Sequence, residues 1–258
     1  MKGAISAVGG RALAVAEAFG GLTLLSGSTL RVALERRLPW RSIFRALDDV
    51  AVRSTAIVAL TASFTGLVLS LQTGTALARF GSKQYTGYIV SLAIVRELGP
   101  VLTALIVGGR VAGGIAAELG SMAVTEQVDA IRAMGADPIR NLVLPRVLAC
   151  VLALPMLTVL SDVLGIAGGL VIAVTQFNLP AWYYLQTVAL GVYPADVVSG
   201  IAKTVFFGFS IGVIACFEGL RATGGTVGVG TATTRAVVFT SVAVLILNFF
   251  LTKLFILL

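Results

Sequence analysis

The sequence contains no histidine and only two cysteines, Cys150 and Cys216, each inside an apolar run. The absence of histidine removes most metal sites and thiol catalysis through a histidine partner, and two such cysteines do not make a disulfide framework. Both cysteines are therefore expected to be core residues. These absences argue against a hydrolase, a metalloenzyme and a redox protein.

Charged residues are also scarce. Only 12% of the 258 residues are charged, whereas 57% are hydrophobic, and the mean hydropathy is +0.99. A soluble domain of this length needs a charged shell over its core, so the composition predicts an all-α integral membrane protein instead. The formal net charge of +7 then fits a basic membrane flank better than a nucleic-acid site, and no nucleic-acid partner is expected.

Five apolar runs are long enough to cross a bilayer. The clearest is Ser54 to Ala78, which has 25 uncharged residues, or about 37 Å of helix. The five spans are predicted at about 54–78, 85–117, 141–175, 197–217 and 236–257, and the glycine-rich run 224–230 is predicted to be a flexible connection.

The first 53 residues differ from the spans because charges interrupt every window long enough to cross. Apolar residues there recur at helical spacing, which predicts a retained helix lying in the membrane interface. The chain thus divides into an N-terminal interfacial segment, 1–53, and a five-helix transmembrane domain, 54–258. The apolar positions are Ile5, Val8, Ala12, Val15 and Phe19.

The orientation follows from the basic residues. Eight of the 19 Lys and Arg residues lie in the first 53 positions, and the positive-inside rule places that end in the cytoplasm. Five crossings then place the C-terminus on the opposite, periplasmic side. The eight residues are Lys2, Arg11, Arg31, Arg36, Arg37, Arg41, Arg45 and Arg53.

The connection between the second and third spans, at about 121–135, predicts a short amphipathic helix. Thr125 can cap its start, Arg132 falls in its last turn, and Gly135 can end it. Apolar residues recur on one face, opposite the acidic positions, so one face can dock while the other stays in water. The stripe consists of Val124, Val128 and Ile131, the acidic positions are Glu126 and Asp129, and Asp137 with Pro138 begins the next helix.

The second span carries Arg96, Glu97 and Arg110. A charge at the centre of a bilayer costs about 2.5 to 3.5 kcal/mol on insertion scales, so these side chains are expected to face protein or a wet cavity. Arg110 and Glu118 are eight residues apart and share one helix face. These charges either neutralise each other and hold helices together, or they act directly in function.

Four motifs carry a resemblance to a known family. They are Arg96-Glu97-Leu98-Gly99-Pro100 with its continuation to Gly108-Gly109-Arg110, the segment Glu118–Pro138, Pro145-Arg146, and Ala232-Thr233-Thr234-Arg235. They occur in order within residues 54–255, and the chain resembles the MlaE (YrbE) type permeases of lipid-transporting ABC systems. The resemblance implies five transmembrane helices after an interfacial helix, in a homodimer in the bacterial inner membrane.

The resemblance also implies a function. The chain would be the permease of an ATP-driven system that moves phospholipid between inner and outer membranes and maintains outer-membrane lipid asymmetry. The implied partners are two cytoplasmic ABC ATPase subunits, a periplasmic MCE-domain lipid-binding protein and a small STAS-type cytoplasmic subunit. None of the four lysines follows a glycine, so the chain lacks a P-loop. It is not expected to be an enzyme or to hold a cofactor, and ATP and Mg²⁺ would belong to the ATPase.

Site residues follow by the same resemblance. The short helix would be the coupling helix that enters a groove of the ATPase. Arg235 would meet an anionic lipid head group or an ATPase acid, and the outer end of the first span would line a lipid cavity between protomers. The coupling residues are Thr125, Glu126, Asp129, Arg132 and Met134, the buried charge cluster is Arg96, Glu97, Arg110 and Glu118, and the cavity residues are Leu69, Leu77 and Phe80.

Other functions stay open at this point. An ion-coupled secondary carrier would use Arg96, Glu97 and Asp162 to bind an ion or proton, although no inverted repeat is visible in the sequence. A lipid-modifying enzyme would be expected to carry a histidine or paired acids near a membrane surface. A sterol-like cargo is the alternative to a phospholipid.

Overall fold

The computed structural model describes residues 2–35 and 39–257, and within these ranges the chain is almost entirely helical and contains no strand. Three π-helical turns, Asp48–Val52, Ile94–Leu98 and Ile139–Val143, precede long helices. The α-helices of this part of the chain are α1 (Lys2–Ala33), α2 (Trp40–Leu47), α3 (Arg53–Ala78), α4 (Thr86–Ala93), α5 (Gly99–Val124), α6 (Gln127–Ala133), α7 (Leu144–Thr175), α8 (Ala181–Gly191), α9 (Pro194–Leu220) and α10 (Gly225–Leu257).

Five helical stretches are long and apolar enough to cross a membrane, which confirms the predicted all-α membrane fold. The π-helical turns continue the helix direction, so α2 runs on into α3 and α4 runs on into α5. The five stretches are Trp40–Ala78, Lys83–Val124, Ile139–Thr175, Pro194–Leu220 and Gly225–Phe255.

The helix α3 packs on α7 through small residues. Its buried positions recur every fourth residue, which makes one continuous ridge. A Cβ on Gly66 would overlap the Gly165 carbonyl oxygen, and Ser70 Oγ donates to the Gly169 carbonyl at 3.0 Å. The two backbones therefore approach closely, as small residues permit in membranes. The ridge is Ser54, Val58, Ala62, Gly66, Ser70 and Gly74.

The core lies where α5, α7 and α9 meet. Cys150 and Cys216 are fully buried there and form no disulfide, as expected. Gly208 and Gly212 on α9 pack closely against the backbone of α7. A Cβ on Gly208 would lie 2.6 Å from the Cys150 carbonyl oxygen, and one on Gly212 would lie 2.8 Å from the Val147 Cα.

The N-terminal segment begins with the long helix α1, and Phe19 on that helix is 66% exposed. The other predicted stripe positions, Ile5, Val8, Ala12 and Val15, lie outside the described side chains, and Arg36 and Arg37 lie outside the described residues. The division at residue 53 stays a prediction, although α2 continues through a π-helical turn into α3 without a break at that point.

The glycine-rich run is not the flexible connection that the sequence suggested. The helix α10 begins at Gly225, so most of the run is helical. Gly224 and Gly225 have φ of +86° and +70°, a left-handed backbone that glycine adopts without steric cost. A Cβ on Gly228 would overlap the Thr223 carbonyl oxygen. These glycines therefore make a sharp turn and a close contact rather than a loose linker.

Candidate functional site

The short helix predicted at residues 125–134 is α6, but it starts differently. Glu126, with φ of +60°, occupies the position before the helix and provides no side-chain cap. The Thr125 hydroxyl donates instead to the Ser121 carbonyl at 2.8 Å. The predicted Thr125 cap is therefore wrong, because α5 extends to Val124 and Thr125 bonds back to that helix. Gly135 ends α6 as predicted, with φ of +77°.

The two faces of α6 differ as the periodicity predicted. Val128 is 5% exposed and belongs to the main core, while Val124 and Ile131 are half-buried. The Arg132 Nη1 atom lies 3.1 Å from Asp129 Oδ1, and both side chains are about two-thirds exposed. Such an exposed pair adds little stability. The exposed face consists of Thr125, Glu126, Asp129, Arg132 and Met134.

The predicted cluster of buried charge does not exist as one cluster. Arg96 and Glu97 are separated from Arg110 by 13 or 14 residues, about 20 Å along the helix. Within this protomer Glu97 is half-buried, whereas Arg96, Arg110 and Glu118 are exposed. Helix length thus separates Arg96 and Glu97 from Arg110 and Glu118.

Glu97 belongs to a network that joins three spans. Lys203 on α9 is 3% exposed, and its Nζ donates to Glu97 Oε1 at 2.8 Å and to Thr252 Oγ1 at 2.8 Å. Asn248 Nδ2 donates to Glu97 Oε2 at 3.0 Å, and the Thr252 hydroxyl donates to Oε1 at 2.9 Å. The carboxylate is therefore paired with a cation and hydrogen-bonded on both oxygens, as a charge away from water requires.

The backbone at Pro100 completes this network. Pro100 has no N–H, so the Arg96 carbonyl four residues earlier lacks its usual helical donor. Lys203 Nζ donates to that carbonyl at 3.0 Å. The Arg96 side chain points elsewhere and pairs with Asp196, with 2.6 Å between Arg96 Nη2 and Asp196 Oδ1. The Arg-Glu-Leu-Gly-Pro motif thus directs two adjacent charges to two partners on α9.

The α9 partners Asp196 and Lys203 were not among the site residues predicted from the sequence. No role was predicted for Lys203, which lies nine residues inside α9 and is buried. One signal was present: Asp196 and Lys203 are seven residues apart and share a helix face, and they match the opposite charges of Arg96 and Glu97. Asn248 and Thr252 gave no signal of their own.

Arg110 and Glu118 lie at the end of the bundle that bears α6, here called the α6 end. Arg110 Nη1 donates to Ser54 Oγ at 2.8 Å, and Glu118 Oε1 lies 2.7 Å from Arg146 Nη2. Both line one open cavity of about 540 Å³. Arg235 is exposed and lies near enough to Glu218 for their charges to interact.

The opposite end of α3, here called the far end, carries a second groove. It has a volume of about 450 Å³, and Phe80, which is 81% exposed, is the predicted cavity residue that lines it. Leu69 and Leu77 are half-buried and lie outside this groove. Their assignment to a lipid cavity between protomers stays a prediction. The lining residues are Leu71, Gln72, Thr75, Ala76, Arg79 and Phe80.

Asp162 lies apart from these charges. It is 9% exposed, and its Oδ1 has no hydrogen-bond partner in the described part of the chain. A Cβ on Gly99 would overlap this oxygen, so the carboxyl group packs against the start of α5. It forms no ion pair with a described residue.

Comparison with known proteins connects this architecture to one family. The family model described as Permease MlaE matches residues 43–254. A probable ABC transporter permease protein of Rickettsia felis is 39% identical over 250 residues, covering 97% of this chain and 96% of the relative.

Two further relatives come from another bacterium and from a plant. The intermembrane phospholipid transport system permease protein MlaE of Haemophilus influenzae is 36% identical over 213 residues, covering 81% of each chain. The protein TRIGALACTOSYLDIACYLGLYCEROL 1, chloroplastic, of Arabidopsis thaliana is 35% identical over 232 residues, covering 90% of this chain and 66% of the relative. With a matching family model over most of its length and five membrane-spanning helices, this chain is an ABC transporter permease that belongs to the MlaE family.

Proposed function

We propose that this chain is the membrane-spanning subunit of an ATP-driven system that moves phospholipid between the inner and outer membranes of a bacterial envelope and so maintains outer-membrane lipid asymmetry. The name of the Haemophilus influenzae relative supports the cargo. The observation that carries the proposal is α6, whose charged face is exposed while Val128 anchors its other face in the core.

The helix α6 acts as the coupling helix in this proposal. Its exposed residues enter a groove on a cytoplasmic ABC ATPase, which binds ATP and Mg²⁺ and carries out hydrolysis. Because Val128 and Ile131 fix α6 to the core, a displacement of the ATPase is transmitted to the spans rather than absorbed in a loop. The permease itself catalyses no reaction.

The remaining assembly follows family analogy. Two copies of the chain form the centre, two ATPases bind on the cytoplasmic side with a small STAS-type subunit, and an MCE-domain protein binds on the periplasmic side. The chain lies in the inner membrane with its N-terminus in the cytoplasm and its C-terminus in the periplasm. Lipid occupies a cavity between the protomers near Leu69, Leu77 and Phe80, and Arg235 contacts a head group or an ATPase acid.

Charge reversal on α6 tests the coupling. We expect Glu126→Lys to leave the permease inserted and folded but to abolish ATPase co-purification and lipid transport. Glu17→Lys is the control, because Glu17 is an exposed acid on α1 rather than on α6, and it should retain the ATPase although it breaks the exposed pair with Arg221. If Glu126→Lys binds the ATPase and transports lipid as well as the unmodified chain, this coupling surface is wrong.

An ion-coupled carrier is the second candidate, and the buried Asp162, whose Oδ1 has no partner among the described residues, is the observation that favours it. In that case, lipid transfer would follow an ion gradient in vesicles that contain the permease alone. Under the proposed function, such vesicles stay inactive until the ATPase and ATP are supplied. Measuring transfer with and without each energy source separates the two functions.

A further inference from the structure

A polar groove at the α6 end, between the start of α3 and the second half of α5, has no role in the coupling just described. It consists of two adjoining cavities of about 540 and 240 Å³ that share Asp49, Val50, Ile115 and Glu118. We call it the α6-end groove. Its other polar and charged lining residues are Ser42, Arg45, Arg53, Arg110, Asn141 and Arg146.

Positive charge exceeds negative charge in this groove. Arg53 pairs with Asp49 at 3.1 Å, and Arg146 pairs with Glu118 at 2.7 Å. Arg110 donates to the Ser54 hydroxyl and, at longer distances, to the Asp49 carbonyl, both of which are uncharged acceptors. Within the described residues, neither Arg45 nor Arg110 has a carboxylate partner, so the groove favours an anion.

The depth of Arg110 indicates which kind of anion. Arg110 bonds to Ser54, the first residue of the 25-residue uncharged run. The apolar layer of the bilayer therefore begins at this level, where lipid phosphates lie. A guanidinium stays charged and binds phosphate oxygens in bidentate geometry. An arginine at this level without an anionic partner is suited to a phosphodiester.

An apolar stripe on α3 leads away from the groove. Its members follow Arg53 at intervals of three and four residues, so they lie on one face, and they are 44% to 60% exposed. An amphiphile with its phosphate near Arg110 can lay an acyl chain along this stripe, which a free phosphate ion cannot do. The stripe is Ile57, Leu60, Phe64 and Val68.

We infer that the α6-end groove binds the phosphodiester head group of a phospholipid, with Arg110 as the principal ligand, Arg45 and Arg53 as further cations, and the α3 stripe as the acyl-chain surface. The choice of ligand rests on the proposed phospholipid function. The site is distinct from the far-end groove at Phe80, which lies at the other end of α3.

The first test is lipid binding to the purified permease by native mass spectrometry. The probes are dioleoylphosphatidylglycerol and dioleoylglycerol, which share acyl chains but differ in the phosphate. We expect Arg110→Gln to weaken phosphatidylglycerol binding about tenfold, Arg110→Lys to weaken it less, and neither variant to change dioleoylglycerol binding. Unchanged phosphatidylglycerol binding in Arg110→Gln, or an equal loss for both lipids, would overturn the site.

A glycine pair supplies a matched steric test. A Cβ on Gly109 or on Gly114 meets no atom within 4 Å, but only Gly114 lines the groove. We expect Gly114→Trp to fill the groove and lower phosphatidylglycerol binding about tenfold, whereas Gly109→Trp leaves it unchanged. Thermal unfolding in detergent confirms that both variants are folded. Equal binding in the two variants contradicts the proposal.

A second copy of the chain is the other conceivable occupant, and cysteine cross-linking distinguishes it. If Gly114→Cys forms disulfide-linked dimers in native membranes, the groove is a protein interface and the inference fails. Lipid binding here is measured on the permease without an ATPase. A chain that binds phosphatidylglycerol through Arg110 but transports nothing therefore contradicts the proposed function and leaves this site intact.

Discussion

Two sets of charges in this molecule differ in exposure and in the number of their partners. Around Lys203 the charged and polar groups are tied together inside the bundle, and Lys203 Nζ has three acceptors within 3.0 Å. On α6 the pair between Arg132 and Asp129 is exposed on both sides. Interior charges need partners because water is absent, whereas exposed charges need none. The first set therefore holds spans together, and the second is free to contact another protein.

The largest effect is expected from Lys203→Met. It leaves the Glu97 carboxylate without its cation, although Asn248 and Thr252 still donate to it, and it leaves the Arg96 carbonyl without the Lys203 donor. Breaking such a pair costs about 3 to 5 kcal/mol. Thermal unfolding in detergent should show a large loss of stability. Adding Glu97→Leu should restore part of it, because no unpaired charge then remains. A fully stable Lys203→Met variant would contradict the structural role of the network.

An intermediate effect is expected from Asp196→Asn. The Asp196 carboxylate pairs with Arg96 and also accepts from the Tyr193 N–H at 3.0 Å, which caps the start of α9. An amide keeps the shape but loses the charge, so we expect a loss of about 1 to 2 kcal/mol in unfolding free energy. Denaturant titration of α-helical content measures it. A loss as large as that of Lys203→Met would mean that the pair between Arg96 and Asp196 stabilises the bundle as strongly as the network around Lys203.

A threonine pair compares the two regions with one substitution. Thr252 both accepts from Lys203 and donates to Glu97 inside the bundle, whereas Thr125, on the exposed side, donates back to Ser121 and accepts from the Gln127 side chain. We expect Thr252→Val to cost about 1 to 3 kcal/mol and Thr125→Val about 0.5 kcal/mol or less. Parallel thermal melts give the difference. Equal losses at the two positions would remove the distinction between the regions.

The smallest change in stability is expected from Arg132→Ala. Its ion pair is exposed, so the loss should stay below about 0.5 kcal/mol. Under the proposed function, the same variant should lose most of its affinity for the ATPase, as measured by co-purification. Arg221→Ala is the control, because Arg221 forms a similarly exposed pair with Glu17. An Arg132→Ala variant that loses stability but still co-purifies with the ATPase as well as the unmodified chain would contradict this prediction.

Local patterns predicted the spans and the faces of α6. The uncharged run after Arg53 and the spacing of Val124, Val128 and Ile131 depend on residues close in sequence, and the structure confirms both. The predicted cluster of Arg96 with Arg110 is wrong, because the rise of a helix over 14 residues keeps the two side chains about 20 Å apart. Backbone length is local information, so the sequence alone is enough to separate these two residues.

The partners of Glu97 could not be predicted in the same way. Lys203 is 106 residues away and Thr252 is 155 residues away, and only the packing of α9 and α10 brings them to the carboxylate. The glycine-rich run before α10 was misinterpreted for a related reason. Its glycines serve one turn and one contact with Thr223, and composition alone does not separate that use from flexibility.

The close seam between Gly66 and Gly165 has a consequence for how this permease can work. Helices whose backbones are in contact cannot slide past each other by part of a turn without steric overlap. We therefore expect α3 and α7 to move as one rigid body. Since α7 follows α6 through only a short connection, a displacement of α6 by a bound partner would move α3 together with α7.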